Sequence, residues 1–188
     1  IMGGEPTLHP DIVKILKKST ESNFRQVTLF TNLLCKKDIL KDIFENTKNL
    51  YWLINTTTNE KYVDIFEENL EYFNKTSKQR ASFGITLIND PEYDYKNIKR
   101  IVYFGKKYPN LFANYRISIA SPYHSNKVNL DSNEDSILSF CKLAKKETPQ
   151  IEISFDCPVN NCQVPLMTMA ELIDIYKATI LRTHHCIP

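Results

Sequence analysis

A chain of 188 residues is long enough to bury a core and short enough to form one domain. Its hydrophobic fraction of 42% and charged fraction of 24% are typical of a globular protein. The formal charge is +2, and the basic residues are scattered in pairs near the ends of predicted helices, which favours a solvated surface over a nucleic-acid patch. No segment approaches the length of a bilayer-spanning helix, and we expect no signal peptide. We therefore expect a soluble, cytoplasmic protein with neither a membrane nor a nucleic-acid partner.

Strands and helices are predicted to alternate along the chain. Short apolar, β-rich runs predict strands at 27–30, 50–54, 81–87, 115–119 and 151–155. Helical periodicity predicts helices at 11–18, 38–44, 62–73, 95–104 and 132–145. This alternation favours right-handed crossovers and a parallel α/β sheet, either doubly wound or closed as a barrel. Because no linker interrupts the chain, we expect one domain over 1–188.

Polar, small or acidic residues follow each predicted strand. In both kinds of parallel sheet, ligands bind at the carboxyl ends of the strands, so these residues form a candidate site. We call them the polar rim of the sheet; they are Gly3, Gly4, Glu5, Thr31, Asn32, Asn55, Thr56, Asn89, Asp90, Ser121, Asp156 and Cys157.

The motif that carries the most information lies at the start. Residues 1–2 are predicted to end a strand, and Gly3, Gly4 and Glu5 follow, with Pro6 next. The glycines permit positive φ and close approach of a ligand to the backbone, while Pro6 restricts the residue before it. A rigid, glycine-flanked carboxylate suits the ammonium group of a ligand.

With this motif the sequence resembles the radical S-adenosylmethionine (SAM) superfamily, whose second strand ends in Gly-Gly-Glu-Pro. The resemblance implies that Gly3, Gly4 and Glu5 hold the amino group of SAM, and that Pro6 shapes the turn. The continuation 7–11 is also similar to that family. We expect its histidine, His9, to cap or pack at the helix entrance rather than to bind a metal.

The next predicted strand ends in Thr31-Asn32, where the family usually has Thr-Asn-Gly. Leu33 replaces the glycine, which calls the backbone conformation of this loop into question. By position after their strands, Asn55 and Ser118 are candidates to contact the ribose or carboxylate of SAM. By alternation along the strand, Arg116 shares a face with Ser118. We expect it to neutralise the charge of a carboxylate inside the barrel or to form a salt bridge at the rim, and the salt bridge is favoured.

Three late cysteines, Cys157, Cys162 and Cys186, resemble the end of the barrel in a radical SAM subgroup with a SPASM-like cysteine tail. By this resemblance, 156–188 leads into a tail that binds an auxiliary iron–sulfur cluster, since thiolates are the ligands of such clusters. The alternative, that these are buried apolar side chains, stays open. We expect Cys35 and Cys141 to have structural roles and not to bind a metal.

The superfamily's Cys-x3-Cys-x2-Cys loop, which binds the 4Fe-4S cluster after the first strand, is absent from the sequence. We therefore expect a partial (β/α)6 TIM-like barrel that lacks the first strand and the cluster loop. In the complete enzyme the resemblance implies an oxidoreductase-like cleavage of SAM to a 5′-deoxyadenosyl radical, which abstracts hydrogen. That reaction needs a one-electron reductant, and a peptide or protein is the implied substrate. The fragment alone is expected to be inactive.

Two alternatives belong to other functional classes. One is a non-catalytic module of the same fold that binds SAM or a partner without cleaving SAM. The other is an unrelated α/β enzyme that binds phosphate, although the chain has only four glycines and no phosphate-cradling loop.

Overall fold

The computed structural model describes residues 1–56, 59–77, 79, 81–88, 90–119, 134–155 and 166–178. Helices alternate with strands throughout this part of the chain. The helices are α1 (Ile12–Glu21), α2 (Lys37–Asn46), α3 (Val63–Thr76), α4 (Pro91–Lys107), α5 (Glu134–Glu147) and α6 (Leu166–Asp174). The strands are β1 (Val27–Thr31), β2 (Leu50–Asn55), β3 (Ala81–Leu87), β4 (Phe112–Ile119) and β5 (Glu152–Phe155). Short 3₁₀ turns precede α1 and α3, at Pro6–Leu8 and Glu60–Tyr62.

The five strands are parallel and form one sheet in the order β1-β2-β3-β4-β5. Consecutive strands are neighbours, and each connection runs through a helix, as expected for parallel strands. Within the described part of the chain the sheet is open, not closed. The prediction of a partial α/β barrel-like fold with parallel strands is therefore confirmed.

The chain divides into two compact units, Ile1–Ser82 and Phe83–Pro188. In the first unit, β1 and β2 pair in a register that sets Leu29 beside Trp52. The core of this unit is an aromatic cluster: the Trp52 ring lies 5.0 Å from Phe73 of α3 and 5.5 Å from Phe44 of α2, between ring centroids. Trp52 is fully buried, so the helix-facing side of β2 is closed to solvent.

The second unit contains α4 to α6 with β4 and β5, and it packs two aromatic groups. Phe83 stacks on Phe112 with ring centroids 4.5 Å apart. Tyr115 meets Phe140 of α5 edge to face at 5.3 Å, and its hydroxyl lies 2.9 Å from Thr148 Oγ1. All four rings are buried, and side chains of this size bury large apolar areas in a core.

Several element boundaries differ from the prediction. Helix α4 begins at Pro91 rather than at residue 95, because Asp90 caps it: its Oδ1 accepts from Glu92 N and Tyr93 N, both at 3.1 Å. Strand β4 begins at Phe112, three residues before the predicted start. Helix α6 was not predicted. No helix among the described residues is long and apolar enough to cross a membrane.

Candidate functional site

The chain enters the Gly-Gly-Glu motif along the edge of β1. The nitrogen of Ile1 donates to Thr28 O at 2.6 Å, and the carbonyl oxygen of Ile1 accepts from Phe30 N at 3.1 Å. Ile1 is thus bonded to the residues on either side of Leu29, which is the hydrogen-bond pattern of a parallel bridge between Ile1 and Leu29. The structure assigns no strand to residues 1–2, which are predicted to end one, but these bonds bring Gly3 level with the carboxyl end of β1.

Gly3 and Gly4 both adopt backbone conformations that favour glycine, with φ of 110° and 57°. Both are exposed. A Cβ atom built on either residue would meet no other heavy atom within 4 Å. The space beside this backbone segment is therefore open, as a ligand that approaches the backbone closely requires.

The Glu5 carboxylate is held by four hydrogen bonds. Its Oε1 accepts from Thr7 N at 3.1 Å, from Thr7 Oγ1 at 2.6 Å and from Thr31 Oγ1 at 2.7 Å. Its Oε2 accepts from Asn32 N at 2.7 Å. The motif predicted at the chain start and the Thr31-Asn32 strand end are thus one connected site.

The hydrogen bonds are unevenly divided between the two oxygens of Glu5. A carboxylate offers about four acceptor positions, two on each oxygen. Three donors crowd Oε1, whereas Oε2 has one, so the remaining acceptor capacity lies on Oε2. Glu5 is only half-buried, so this oxygen can accept a bond from an external N–H donor.

The loop after β1 keeps a left-handed residue although it lacks the expected glycine. Leu33 has φ of 58° and is fully buried. Its N–H donates to Thr31 Oγ1 at 3.0 Å, and Asn69 Nδ2 donates at 2.8 Å to the carbonyl oxygens of both Leu33 and Cys35. These contacts hold the leucine in a conformation that would otherwise favour glycine.

Asn55 is the last residue of β2 and Thr56 follows it, at the same edge of the sheet. The register pairs Thr31 with Ile54, which sets Asn55 beside Asn32. The Asn55 side chain is exposed. Thr56 Oγ1 is buried and has no hydrogen-bond partner among the described residues. The sequence predicts both residues at the rim and favours Asn55 as the ligand contact; the unpartnered hydroxyl makes Thr56 a second candidate.

Ser118 and Arg116 lie on β4 in the second unit, and both are half-buried. Arg116 pairs in register with Ser154 of β5, whose Oγ accepts from Asn114 Nδ2 at 3.2 Å. Alternation puts Asn114, Arg116 and Ser118 on one face of the strand. That face is polar, whereas the opposite one carries the buried Tyr115. A ligand role for Ser118 stays a prediction.

His9 has the structural position that was expected for it. Its Nδ1 accepts from Asp11 N at 3.1 Å at the entrance to α1, and the side chain is exposed. Asp90, another rim residue, caps α4 as described above. The polarity of these two residues is explained by local backbone hydrogen bonding.

The described cysteines are buried free thiols, Cys35 and Cys141. Burial raises the pKa of Cys35 to about 11; a hydrogen bond with Thr7 opposes this shift and the charge of Glu5 adds to it. Burial likewise raises the pKa of Cys141 to about 12. Thiols of this kind are protonated at neutral pH and are poor metal ligands or nucleophiles.

The predicted metal ligands Cys157, Cys162 and Cys186 lie outside the described residues. Among the residues that the structure describes, no group of three or more His, Cys, Asp or Glu side chains could hold a metal ion.

No protein-family model and no curated protein matches the sequence. The fold is similar to that of solved structures of SuiB from Streptococcus suis. The structure of SuiB bound to S-adenosylmethionine superposes with a TM-score of 0.64 at 16% identity, over 87% of this chain and 40% of that chain. A second SuiB structure gives a TM-score of 0.64 at 17% identity, over 92% and 41% of the two chains. This chain therefore spans about two fifths of the SuiB chain, and at this identity the likeness establishes the fold.

Proposed function

We propose that the protein binds SAM through Gly3, Gly4 and Glu5, and that it acts as a radical SAM enzyme. The observation that carries the proposal is the Glu5 carboxylate, which is fixed at the carboxyl edge of β1 beside two open glycines. The SAM-bound SuiB structure, with the same fold, supports the assignment.

The residues present fit the amino group of SAM. An ammonium group has three N–H donors and no acceptor, so it needs oxygen acceptors around it. Glu5 Oε2 has an acceptor position left, and a hydrogen bond between an ammonium and a carboxylate is stronger than a neutral one. The open, positive-φ backbone at Gly3 and Gly4 lets a ligand approach without steric conflict.

In the enzymes that this chain resembles, bound SAM supplies a 5′-deoxyadenosyl group for hydrogen abstraction when an iron–sulfur cluster delivers an electron. The residues of this chain bind and orient the methionine end of SAM: Glu5 accepts from its amino group, while Pro6 stiffens the turn. Asn55 and Thr56 lie further along the same edge, where hydroxyl or carboxylate groups of SAM would find polar partners. No redox step is assigned to the described residues, and the primary cluster ligands are proposed to lie outside this chain.

The substrate is proposed to be a peptide or protein. This rests on the resemblance of Cys157, Cys162 and Cys186 to a SPASM-like tail, which is also the basis for proposing an auxiliary cluster there.

Titration calorimetry of SAM into the purified full-length protein tests the binding role. Glu5→Gln should weaken SAM binding by about 10- to 100-fold, the range expected for losing a hydrogen bond to a charged group. Glu21→Gln, an exposed glutamate of α1 in the same unit, is the matched control and should leave affinity unchanged. Unaltered SAM affinity in a folded Glu5→Gln protein would refute the role of Glu5.

A second measurement distinguishes a radical SAM enzyme from a non-catalytic module that binds SAM without cleaving it. After anaerobic reconstitution and reduction of the full-length protein, a radical SAM enzyme gives an iron–sulfur signal in electron paramagnetic resonance and produces 5′-deoxyadenosine from SAM. Binding of SAM without either result would favour the non-catalytic module.

A further inference from the structure

We propose that Thr31 is a positioning residue for SAM binding, which together with Thr7 fixes the Glu5 carboxylate so that Oε2 faces the amino group of the ligand. This inference rests on the proposed function. It starts from the hydroxyl of Thr31, which bridges the Gly-Gly-Glu turn and the loop after β1.

The hydrogen-bond direction at Thr31 is determined by its partners. Leu33 N–H can only donate, and it donates to Thr31 Oγ1 at 3.0 Å. The single proton of the hydroxyl is therefore given to Glu5 Oε1 at 2.7 Å, because a carboxylate oxygen can only accept. Thr31 is 2% exposed, so water does not compete for this proton.

Thr7 acts on the same oxygen from the other side of the turn. Its hydroxyl donates to Oε1 at 2.6 Å and its backbone N–H donates at 3.1 Å. Thr7 is 3% exposed. Asn32 N–H then anchors Oε2 at 2.7 Å. Contacts at both oxygens, from two separate segments, fix the plane of the carboxylate as well as its position.

This arrangement has a consequence for ligand choice. Oε1 is saturated, and the free acceptor capacity is on Oε2 alone. A guanidinium group binds a carboxylate best through two parallel hydrogen bonds, one to each oxygen. The site is therefore suited to a primary amine, which needs one acceptor on Glu5 and can use its other N–H groups elsewhere.

The test compares Thr31→Val with Thr31→Ser in the full-length protein. Valine matches threonine in shape but has no hydroxyl, whereas serine keeps the hydroxyl. Two probes are titrated: SAM and its analogue without the α-amino group. Thr31→Val should weaken SAM binding by about 10-fold, because a carboxylate that is no longer fixed forms a weaker hydrogen bond with the amino group of SAM. Affinity for the analogue should not change, and Thr31→Ser should bind SAM within about threefold of the natural protein.

A purely structural role for Thr31 predicts another pattern, in which both probes lose affinity equally. That result would overturn the inference. Adding Thr31→Val to Glu5→Gln provides a further check: if Thr31 acts through Glu5, the second change should not weaken SAM binding further. Where Thr31→Val does not fold, Thr7→Val removes the other hydroxyl on Oε1 and should show the same selective loss for SAM.

The two proposals fail in different ways. If Glu5→Gln leaves SAM affinity unaltered, the proposed function is wrong. If Glu5→Gln weakens SAM binding and a folded Thr31→Val protein still binds SAM normally, only the role of Thr31 is wrong.

Discussion

The side-chain amide of Asn69 donates a hydrogen bond of 2.8 Å to the carbonyl oxygen of Leu33. Asn69 lies on α3 and is 2% exposed, so a helix holds the loop that follows β1. Leu33 adopts a left-handed conformation, which costs a residue with a Cβ atom about 1–2 kcal/mol. The contact thus helps to keep Leu33, and with it the neighbouring Thr31 hydroxyl, in place.

Replacing Asn69 with Ala should destabilise the protein by about 2–3 kcal/mol, since two buried carbonyl oxygens lose their donor. Urea denaturation measures the change. Asn74→Ala, an exposed position on the same helix, should alter the free energy of unfolding by less than about 0.5 kcal/mol. Similar losses in the two variants would contradict the role given to Asn69.

At Leu33, glycine should be tolerated better than alanine. Both substitutions remove a fully buried side chain, which costs about 2–5 kcal/mol. Glycine has no Cβ atom, so it alone also avoids the steric cost of a positive φ. The Leu33→Gly protein should therefore be more stable than the Leu33→Ala protein by about 1 kcal/mol. Thermal or urea unfolding of the pair decides this. The reverse order would indicate that φ at this residue is not positive in solution.

Gly105→Ala should destabilise the second unit although it lies in α4. Helix propensity alone would make alanine more stable by about 1 kcal/mol. A Cβ here would overlap the Tyr115 hydroxyl oxygen and lie 3.1 Å from Ile151 Cδ1, so we expect a net loss of about 1–3 kcal/mol.

A double-mutant cycle with Tyr115→Phe checks the cause of that loss. Removing the hydroxyl takes away the closest contact, so the two changes together should cost less than their sum. Strict additivity would show that the steric conflict lies elsewhere.

The stability contributed by the Cys35 thiol should fall at high pH. Burial raises its pKa in the folded protein from 9.0 to about 11, so the protonated thiol favours folding. This contribution is fully present below pH 9 and is lost as the pH rises to about 11. The difference in unfolding free energy between the natural protein and Cys35→Ala should shrink across this window. Cys141→Ala is the control, because its window extends to about pH 12. A difference that does not vary with pH would contradict the assignment.

The bounds of a strand can be predicted from the sequence where the pattern of side chains alone determines them. Strand β3 matches its prediction, Ala81–Leu87, because its β-rich run follows the polar residues 77–80 and is succeeded within two residues by the polar pair at 89–90. The predicted start of helix α4, residue 95, is four residues too late, because the predicted range leaves Asp90 in the polar rim and not at the helix cap. Asp followed by Pro91 is the signal of a helix cap with proline in the first turn, and it was available in the sequence.

The candidate site was predictable in its residue types but not in its connections. The sequence indicates a carboxylate at Glu5 and polar residues at Thr31 and Asn32. That these three form one hydrogen-bonded group depends on the register of the chain start against β1, a contact between residues 26 to 27 positions apart. Sequence periodicity fixes which residues end a strand, but it carries no information on which side chain a carboxylate will contact.

The backbone amide of Asn32 donates to a carboxylate oxygen at 2.7 Å. We expect the amide proton in such a short, charge-assisted bond to resonate downfield and to be protected from solvent exchange while the bond is intact. Its NMR signal therefore reports whether the Glu5 site is assembled, even before a ligand is added. Following that one resonance during titration and during unfolding would show whether the ligand site forms together with the fold or is completed by the ligand.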